Sequence, residues 1–204
     1  MGGTGAAGWL ALFLMWAVMM IVMMLPSAAP VIRLVLKGYR AQGGPHARAS
    51  AGVFVSGYLL AWAGFSVLAA SSQTLLRRAA LLSASMTIHS AAAAGTILVM
   101  AGVYQWLPVK QRCLSHCRSP LDVLMRHFRD GLGGALGMGL HHGLYCVGCC
   151  WALMALLFVG GVMNFLWIAA LAAFVVVEKL ARTAWIGRVA GILLILWGTY
   201  EVLA

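Results

Sequence analysis

The residues best suited to chemistry lie close together, in the segment MGLHHGLYCVGCCWALM at 138–154. On a helix of about 100° per residue, four of its donor side chains fall within a stripe of roughly 100°. These four are His142, Cys146, Cys149 and Cys150. His141 points away from that stripe. Imidazole and thiolate together suit Cu(I) or Zn(II), and the segment contains no carboxylate. The pattern predicts a soft-metal site, with Cu(I) preferred and zinc as the alternative.

Two other interpretations of this segment stay open. Cysteines in apolar helices often pack as small hydrophobic side chains, but three of them in five residues, one turn after His142, favour a site. Cys146 and Cys149 also form a C-x-x-C motif, which is typical of thiol–disulfide exchange. Such cysteines must be accessible to partners at the outer face, whereas Cys146 is predicted to lie near the middle of a membrane span. Metal binding is therefore the preferred interpretation.

A second group of donors lies in the polar stretch KQRCLSHCR at 110–118. If this stretch is helical, Cys113 and Cys117 share a face and His116 is within reach of Cys113. Two thiols and one imidazole can form a three-coordinate metal site. The alternative is a pair of reduced thiols without a function, which the cytosol permits. The sequence predicts this group to be cytoplasmic and separate from the first.

Methionines recur along the first apolar segment. Met15, Met19 and Met23 follow one another at i, i+4 and i+8. Thioethers are soft ligands that favour Cu(I), although methionine is also an ordinary packing residue in helices. In a chain with a Cys/His cluster, Met19 and Met23 become candidates for additional copper ligands. Pro26 and Pro30 are predicted to kink or end this helix.

The composition indicates which elements hold these residues. Of the 204 residues, 63% are hydrophobic and 9% are charged, which excludes a soluble globular domain and a disordered chain. Long charge-free stretches predict membrane helices, and the longest, 131–177, holds two helices with a turn at Gly160-Gly161. The predicted fold is all-α, a single polytopic helix bundle over 1–204 with six transmembrane helices. The predicted spans are about 9–32, 52–76, 86–106, 132–158, 162–178 and 184–203.

The positive charges orient these helices. Of the 14 Lys and Arg residues, twelve lie in the loops after helices 1, 3 and 5, and only Arg77 and Arg78 lie on the other side. Because Lys and Arg favour cytoplasmic loops, both termini are predicted to lie outside. The net charge of +10 then reflects topology and does not indicate nucleic-acid binding. Residues 120–130 are predicted to form a short amphipathic helix on the cytoplasmic membrane surface.

The sequence resembles a bacterial family described as predicted metal-binding integral membrane proteins, long catalogued as a domain of unknown function. The resemblance is carried by MMLPS at 23–27, YQWLPVKQRCLSHCRSP at 104–120, HHGLYCVGCCWALMALLFVGGVMN at 141–164 and Glu178-Lys179. It covers about residues 15–180, and the Cys-x-x-Cys-Cys-Trp block is its most specific part. The resemblance implies a multi-pass protein of the bacterial inner membrane with a metal site, and it names no substrate.

Together these observations predict a copper-binding membrane protein that acts in metal delivery, in transport or in the assembly of a partner metalloenzyme. A membrane metalloenzyme, or a metal-bearing subunit of an oxidoreductase complex, is the first alternative. A membrane thiol–disulfide oxidoreductase is the second. The chain contains no GxxxxGK[ST] motif, so primary pumping by this chain alone is excluded. Besides the lipid bilayer, the small size and the glycine-rich helix faces predict a homo-oligomer or a membrane-protein partner.

Overall fold

The computed structural model describes residues 5–41, 47–82, 87–88, 90–119, 131–181 and 183–203. The described residues are almost entirely helical, which confirms the all-α prediction. The helices are α1 (Ala6–Ala41), α2 (Ala47–Arg78), α3 (Ala91–Tyr104), α4 (Pro108–Arg118), α5 (Gly131–Ala155), α6 (Leu157–Gly160), α7 (Phe165–Leu180) and α8 (Trp185–Leu203). The predicted surface helix at 120–130 lies outside the described residues.

Several helices are compatible with a membrane. Four stretches are long and apolar enough to cross one: α1, α2, α5 continued by α6, and α8. Helices α3 and α4, bent by 63° at the break between them, pass the same test as a pair and give a fifth candidate. Helix α7 overlaps the fifth predicted span, but with 16 residues it is not among these candidates. The number of six spans and the outward orientation of the termini stay predictions.

Helix α1 continues through both of its prolines. Pro26 and Pro30 each lack a backbone N–H, yet α1 runs on to Ala41 and does not end at either residue. Next to the first proline, the Met24 carbonyl accepts a hydrogen bond from Ser27 Oγ at 2.8 Å. Of the two predicted effects of these prolines, an end of the helix is wrong, and a kink stays a prediction.

The turn between α6 and α7 lies where the sequence predicts it. Helix α6 ends at Gly160, and Gly161 adopts φ +94°, a left-handed conformation that favours glycine. Asn164 then caps α7, because its side-chain oxygen accepts a hydrogen bond from the Trp167 backbone N–H at 3.2 Å. The predicted glycine turn is confirmed, and Asn164 has a capping role.

The chain divides into two compact units, of which the first comprises Met1–Ala70 and Cys113–Gly148. Its core joins α1, α2 and α5 through buried apolar side chains. These are Val31, Val35, Tyr39, Ala47, Phe54, Ala135 and Met138. Gly139 on α5 lies so close to α2 that a Cβ there would collide with the Phe54 carbonyl. Close backbone packing therefore sets the spacing of α2 and α5.

The second unit comprises Ser71–Arg112 and Cys149–Ala204. Helices α3 and α8 cross at two pairs of glycines. A Cβ on Gly95 would lie 2.5 Å from the Gly198 carbonyl, and a Cβ on Gly102 would lie 2.7 Å from the Gly191 carbonyl. Small residues at these crossings let the two backbones approach closely, as is common between membrane helices.

Candidate metal centre

The centre of the first unit holds His142 and Cys146, one turn apart on α5. Their side chains are 2% and 0% exposed. Tyr58 on α2 is also fully buried, and its hydroxyl oxygen lies 3.1 Å from the Cys146 sulfur. The same hydroxyl donates to the Met24 carbonyl at 3.2 Å. Because a phenol has one hydrogen, the Cys146 thiol donates to the Tyr58 oxygen while Tyr58 donates to Met24.

The glycines of α5 explain how Tyr58 reaches Cys146. Gly143 follows His142 directly, and a Cβ at this position would lie 3.0 Å from the Tyr58 carbonyl. Any larger residue would push α2 away and lengthen the contact between Tyr58 and Cys146. The His142 ring in turn lies between aromatic neighbours, 6.1 Å from the Phe54 ring and 6.0 Å from the Tyr58 ring. The imidazole is therefore held in place by packing, with its Nδ1 atom buried.

Helix α4 brings a third histidine to this centre. The His116 ring lies 5.4 Å from the His141 ring and 6.4 Å from the His142 ring, measured between centroids. It stacks on Tyr145 at 4.1 Å with an interplanar angle of 26°. Sequence reasoning placed His116 in a separate cytoplasmic site, and this separation is wrong. The structure also shows why His141, which points away from the cysteine stripe, still belongs to the centre: it faces His116.

The two cysteines of α4 are in the same unit. The Cys113 sulfur lies against Gly148 of α5, 3.0 Å from the position that a Cβ would take there. Cys117 is buried. Within the first unit α4 thus packs along α5, and Cys113 and Cys117 belong to the same unit as His142 and Cys146.

Cys149 and Cys150 belong to the part of α5 that lies in the second unit. Both are buried, and their sulfurs are 3.2 Å apart. This is the contact of two adjacent thiols, one of which donates to the other. The pair offers two soft donors at the end of the predicted stripe.

Of the two methionines of α1 predicted to be additional copper ligands, only one is buried. Met23 is buried, as a ligand in the core must be, whereas Met19 is only half-buried. Met20 and Met24, also at i and i+4, are both fully buried. The buried face of α1 therefore carries Met20, Met23 and Met24, and Met24 is the residue whose carbonyl binds Tyr58.

Among the residues that the structure describes, no three His, Cys, Asp or Glu side chains converge as a closed metal cage. The donors occur as neighbours in pairs: His142 with Cys146, His116 with His141, and Cys149 with Cys150. Cu(I) forms stable two-coordinate complexes with near-linear geometry, so a pair of soft donors is enough to bind it. The donor set fits Cu(I), with thiolate and imidazole as its ligands.

A second polar cluster in the second unit was missed by sequence reasoning. Lys110 Nζ lies 2.7 Å from Glu178 Oε1, and the two side chains are 0% and 1% exposed. Lys110 also donates to Gln105 Oε1. From the sequence alone, Glu178 and Lys179 are typical of an ion pair at a membrane interface, whereas in the structure Glu178 pairs with Lys110. The available signal is that Glu178 is one of only four acidic residues in the chain and follows a long apolar run.

The fold and the centre define a helical protein with buried thiol and imidazole donors suited to a soft metal ion. The family model for the PpoB2 copper chaperone matches residues 13–200, so the chain belongs to this family. No curated protein and no solved structure matches the chain. The family match confirms the prediction of a metal-related family and of copper involvement, in this coarser form.

Proposed function

We propose that this protein is a membrane-embedded Cu(I) chaperone that delivers copper to a partner metalloenzyme. The observation that carries the proposal is the buried Cys146 thiol, hydrogen-bonded to Tyr58 and one turn from His142, in a chain of a copper chaperone family. Copper is the cargo of the protein. Its ligands are His142, Cys146, Cys149 and Cys150, which one helix presents on one stripe.

The chemistry of Cys146 supports metal binding. A buried thiolate is costly unless a positive charge compensates for its lost hydration, and a bound metal ion supplies that charge. When copper replaces the thiol proton, Tyr58 can turn its hydroxyl from the Met24 carbonyl to the sulfur. A hydrogen bond to a thiolate is stronger than one between neutral groups. Tyr58 thus stabilises the metal-bound form without itself being a ligand.

The remaining soft donors extend this site. Cys149 and Cys150, with sulfurs 3.2 Å apart, supply two further sulfur donors on α5. On α1, Met23 together with the half-buried Met19 supplies thioethers, which favour Cu(I) over harder ions. None of these groups is a carboxylate, and the selectivity of the site is therefore for soft ions, with Zn(II) as the principal competitor.

The partner and the location follow from the same features. We place the chain in the bacterial inner membrane as a multi-pass protein with both termini outside, supported by the apolar helices and the unequal distribution of Lys and Arg. Two exposed positions test this orientation, Lys37 at the end of α1 and Arg78 at the end of α2. In intact cells, a thiol reagent that cannot cross membranes should label Arg78→Cys and miss Lys37→Cys. The opposite pattern would reverse the orientation.

Metal content of the purified, reduced protein tests the function. The wild-type protein should bind about one or more equivalents of Cu(I), and Cys146→Ser and Cys150→Ser should each lose most of it while still purifying as folded helical proteins. Loss of a neighbour of a metal ligand costs about 10–100-fold in affinity, so loss of a ligand should cost more. His142→Ala should bind less copper than His141→Ala.

Two results would contradict the assignment. If Cys113→Ser with Cys117→Ser abolishes copper binding while Cys146→Ser leaves it intact, α4 holds the cargo and the α5 cysteines only pack. If the wild-type protein binds no copper but exchanges disulfides through Cys146 and Cys149, the thiol oxidoreductase alternative replaces copper delivery.

A further inference from the structure

The three described histidines of the first unit differ in how deeply they are buried. His116 on α4 and His141 on α5 are half-buried, whereas His142 is buried and Cys146 is completely enclosed. Copper that reaches Cys146 from outside the helix bundle must therefore pass from accessible donors to enclosed ones. His116 lies in ring contact with both half-buried His141 and buried His142.

The ring spacings suit a shared metal ion. At a metal–nitrogen distance of about 2.0–2.1 Å, the centroid of a bound imidazole lies roughly 3.2 Å from the metal. Two imidazoles on one ion then have centroids about 5.2 Å apart at a tetrahedral angle and about 6.4 Å apart in a linear arrangement. His116 lies 5.4 Å from His141 and 6.4 Å from His142, inside this range in both cases. Its Nε2 atom and the His142 Nδ1 atom are both buried.

We propose that His116 is a relay ligand that receives Cu(I) with His141 and passes it to His142 and Cys146. The proposal rests on the copper-chaperone function above. Tyr145 stacks on His116 at 4.1 Å and thereby restricts the movement of the His116 ring. The site formed by His116 and His141 takes copper, because imidazole is among the ligands that suit this metal.

Each transfer step exchanges one bond for another, and copper stays Cu(I). In the first step a Cu–N bond forms to His142 while the Cu–N bond to His141 breaks, and His116 retains the ion. In the second step a Cu–S bond forms to Cys146 while the Cu–N bond to His116 breaks. The thiol proton goes to the imidazole of His116 that is released, so charge and protons balance without an oxidant or a reductant.

The experiment measures the rate of copper loading separately from the affinity at equilibrium. Purified, reduced full-length protein is mixed with a coloured Cu(I)–bathocuproine complex, and the loss of colour is followed by stopped flow and then at equilibrium. His116→Phe keeps a ring to stack on Tyr145 but has no nitrogen donor, and His116→Gln serves if the first variant does not fold. Ser115→Ala, an exposed change on the same helix, is the matched control.

If His116 is a relay ligand, its variants should load copper slowly but bind the same amount of copper at equilibrium. Both His116 variants should load at least about tenfold more slowly than the wild type, because a transfer step has lost a metal–nitrogen bond. The amount of copper bound at equilibrium should stay the same, and Ser115→Ala should load at the wild-type rate. A wild-type loading rate in both His116 variants overturns the relay. So does loss of copper at equilibrium, since His116 would then be a ligand of the final site.

A second measurement separates the relay from the proposed function. With Cys146, Cys149 and Cys150 all changed to Ser, Cu(I) should remain weakly bound by imidazoles, and X-ray absorption should show more nitrogen and less sulfur around copper than in the wild type. Adding His116→Phe should remove this bound copper. If the triple variant retains copper that His116→Phe does not affect, the relay is wrong while the chaperone function stands. If the wild-type protein takes up no Cu(I) at all, the chaperone function fails first.

Discussion

The buried ion pair between α4 and α7 gives a sharp test of how the second unit is held together. Glu178→Gln removes one charge and preserves the shape of the side chain. Lys110 then keeps a buried ammonium group whose described partners are two neutral amides, those of Gln105 and the new residue. Breaking a buried pair by removing one partner costs about 3–5 kcal/mol. Because an amide oxygen remains as an acceptor for Lys110, we expect Glu178→Gln to lower the free energy of unfolding by the smaller of these values, about 3 kcal/mol.

The surroundings of Glu178 support a cost of this size. Gly187 of α8 lies against the carboxylate, and a Cβ at this position would be 2.5 Å from Glu178 Oε1. This close contact leaves little room for the carboxylate, or for a glutamine in its place, to move towards water. The ammonium group of Lys110 therefore cannot regain hydration without displacing α4 or α8.

A double variant distinguishes loss of the pair from loss of packing. Replacing a buried pair by uncharged groups of similar size is often neutral or stabilising. Lys110→Met combined with Glu178→Gln should therefore regain most of the stability that Glu178→Gln loses. The free energy of unfolding is measured by titrating the purified protein from mild detergent into SDS and following helicity.

Glu201→Gln is the control, because this carboxylate lies at the end of α8 and binds the indole of Trp197 at 2.9 Å. It should change the free energy of unfolding by no more than about 0.5 kcal/mol, as surface changes usually do. If Glu178→Gln changes the free energy of unfolding as little as the control does, the buried ammonium of Lys110 does not need the charge of Glu178. If the double variant is no more stable than Glu178→Gln, the cost comes from packing and not from the uncompensated charge.

Two further changes test the first unit. Gly139→Ala should lower the free energy of unfolding by about 1–3 kcal/mol, because its methyl group would overlap the Phe54 carbonyl. Gly133→Ala is the control: this glycine has open space around it, so the change should be neutral or stabilise the protein by up to about 1 kcal/mol in the same SDS titration. Equal effects of the two changes would refute the close packing of α2 and α5. Tyr58→Phe should weaken Cu(I) binding about tenfold in a competition with a chelator, as expected for loss of a hydrogen bond to a metal ligand. An unchanged affinity would show that the Tyr58 hydroxyl does not bind the Cys146 sulfur when copper is bound.

The parts of the fold that the sequence could predict are those that depend on neighbours along the chain. The long charge-free runs predict helices because an apolar segment must satisfy its own backbone hydrogen bonds. The turn at Gly160-Gly161 follows from the conformational freedom of glycine. His142 and Cys146 could be grouped because the helical repeat fixes their relative positions whatever packs against them.

The contacts that the sequence could not predict join residues far apart in the chain. His116 meets His142 only because α4 packs along α5, and no local pattern specifies which helix α4 will contact. Lys110 and Glu178 are separated by more than sixty residues, and each on its own is typical of a charge at a membrane interface. The local effect of Pro26 and Pro30 allowed an end of α1, whereas the helix continues to Ala41.

The enclosure of Cys146 bears on which ion it can hold. In an apolar interior any uncompensated charge is costly. Of the four proposed ligands, the Cys146 thiolate and the neutral imidazole of His142 lie in the first unit, and Cu(I) bound by these two alone has no net charge. Zn(II) with the same two ligands would keep one positive charge, and the described residues of the first unit include no Asp or Glu to balance it. Exchange of the thiol proton for a monovalent ion is therefore the substitution that leaves this site electrically unchanged.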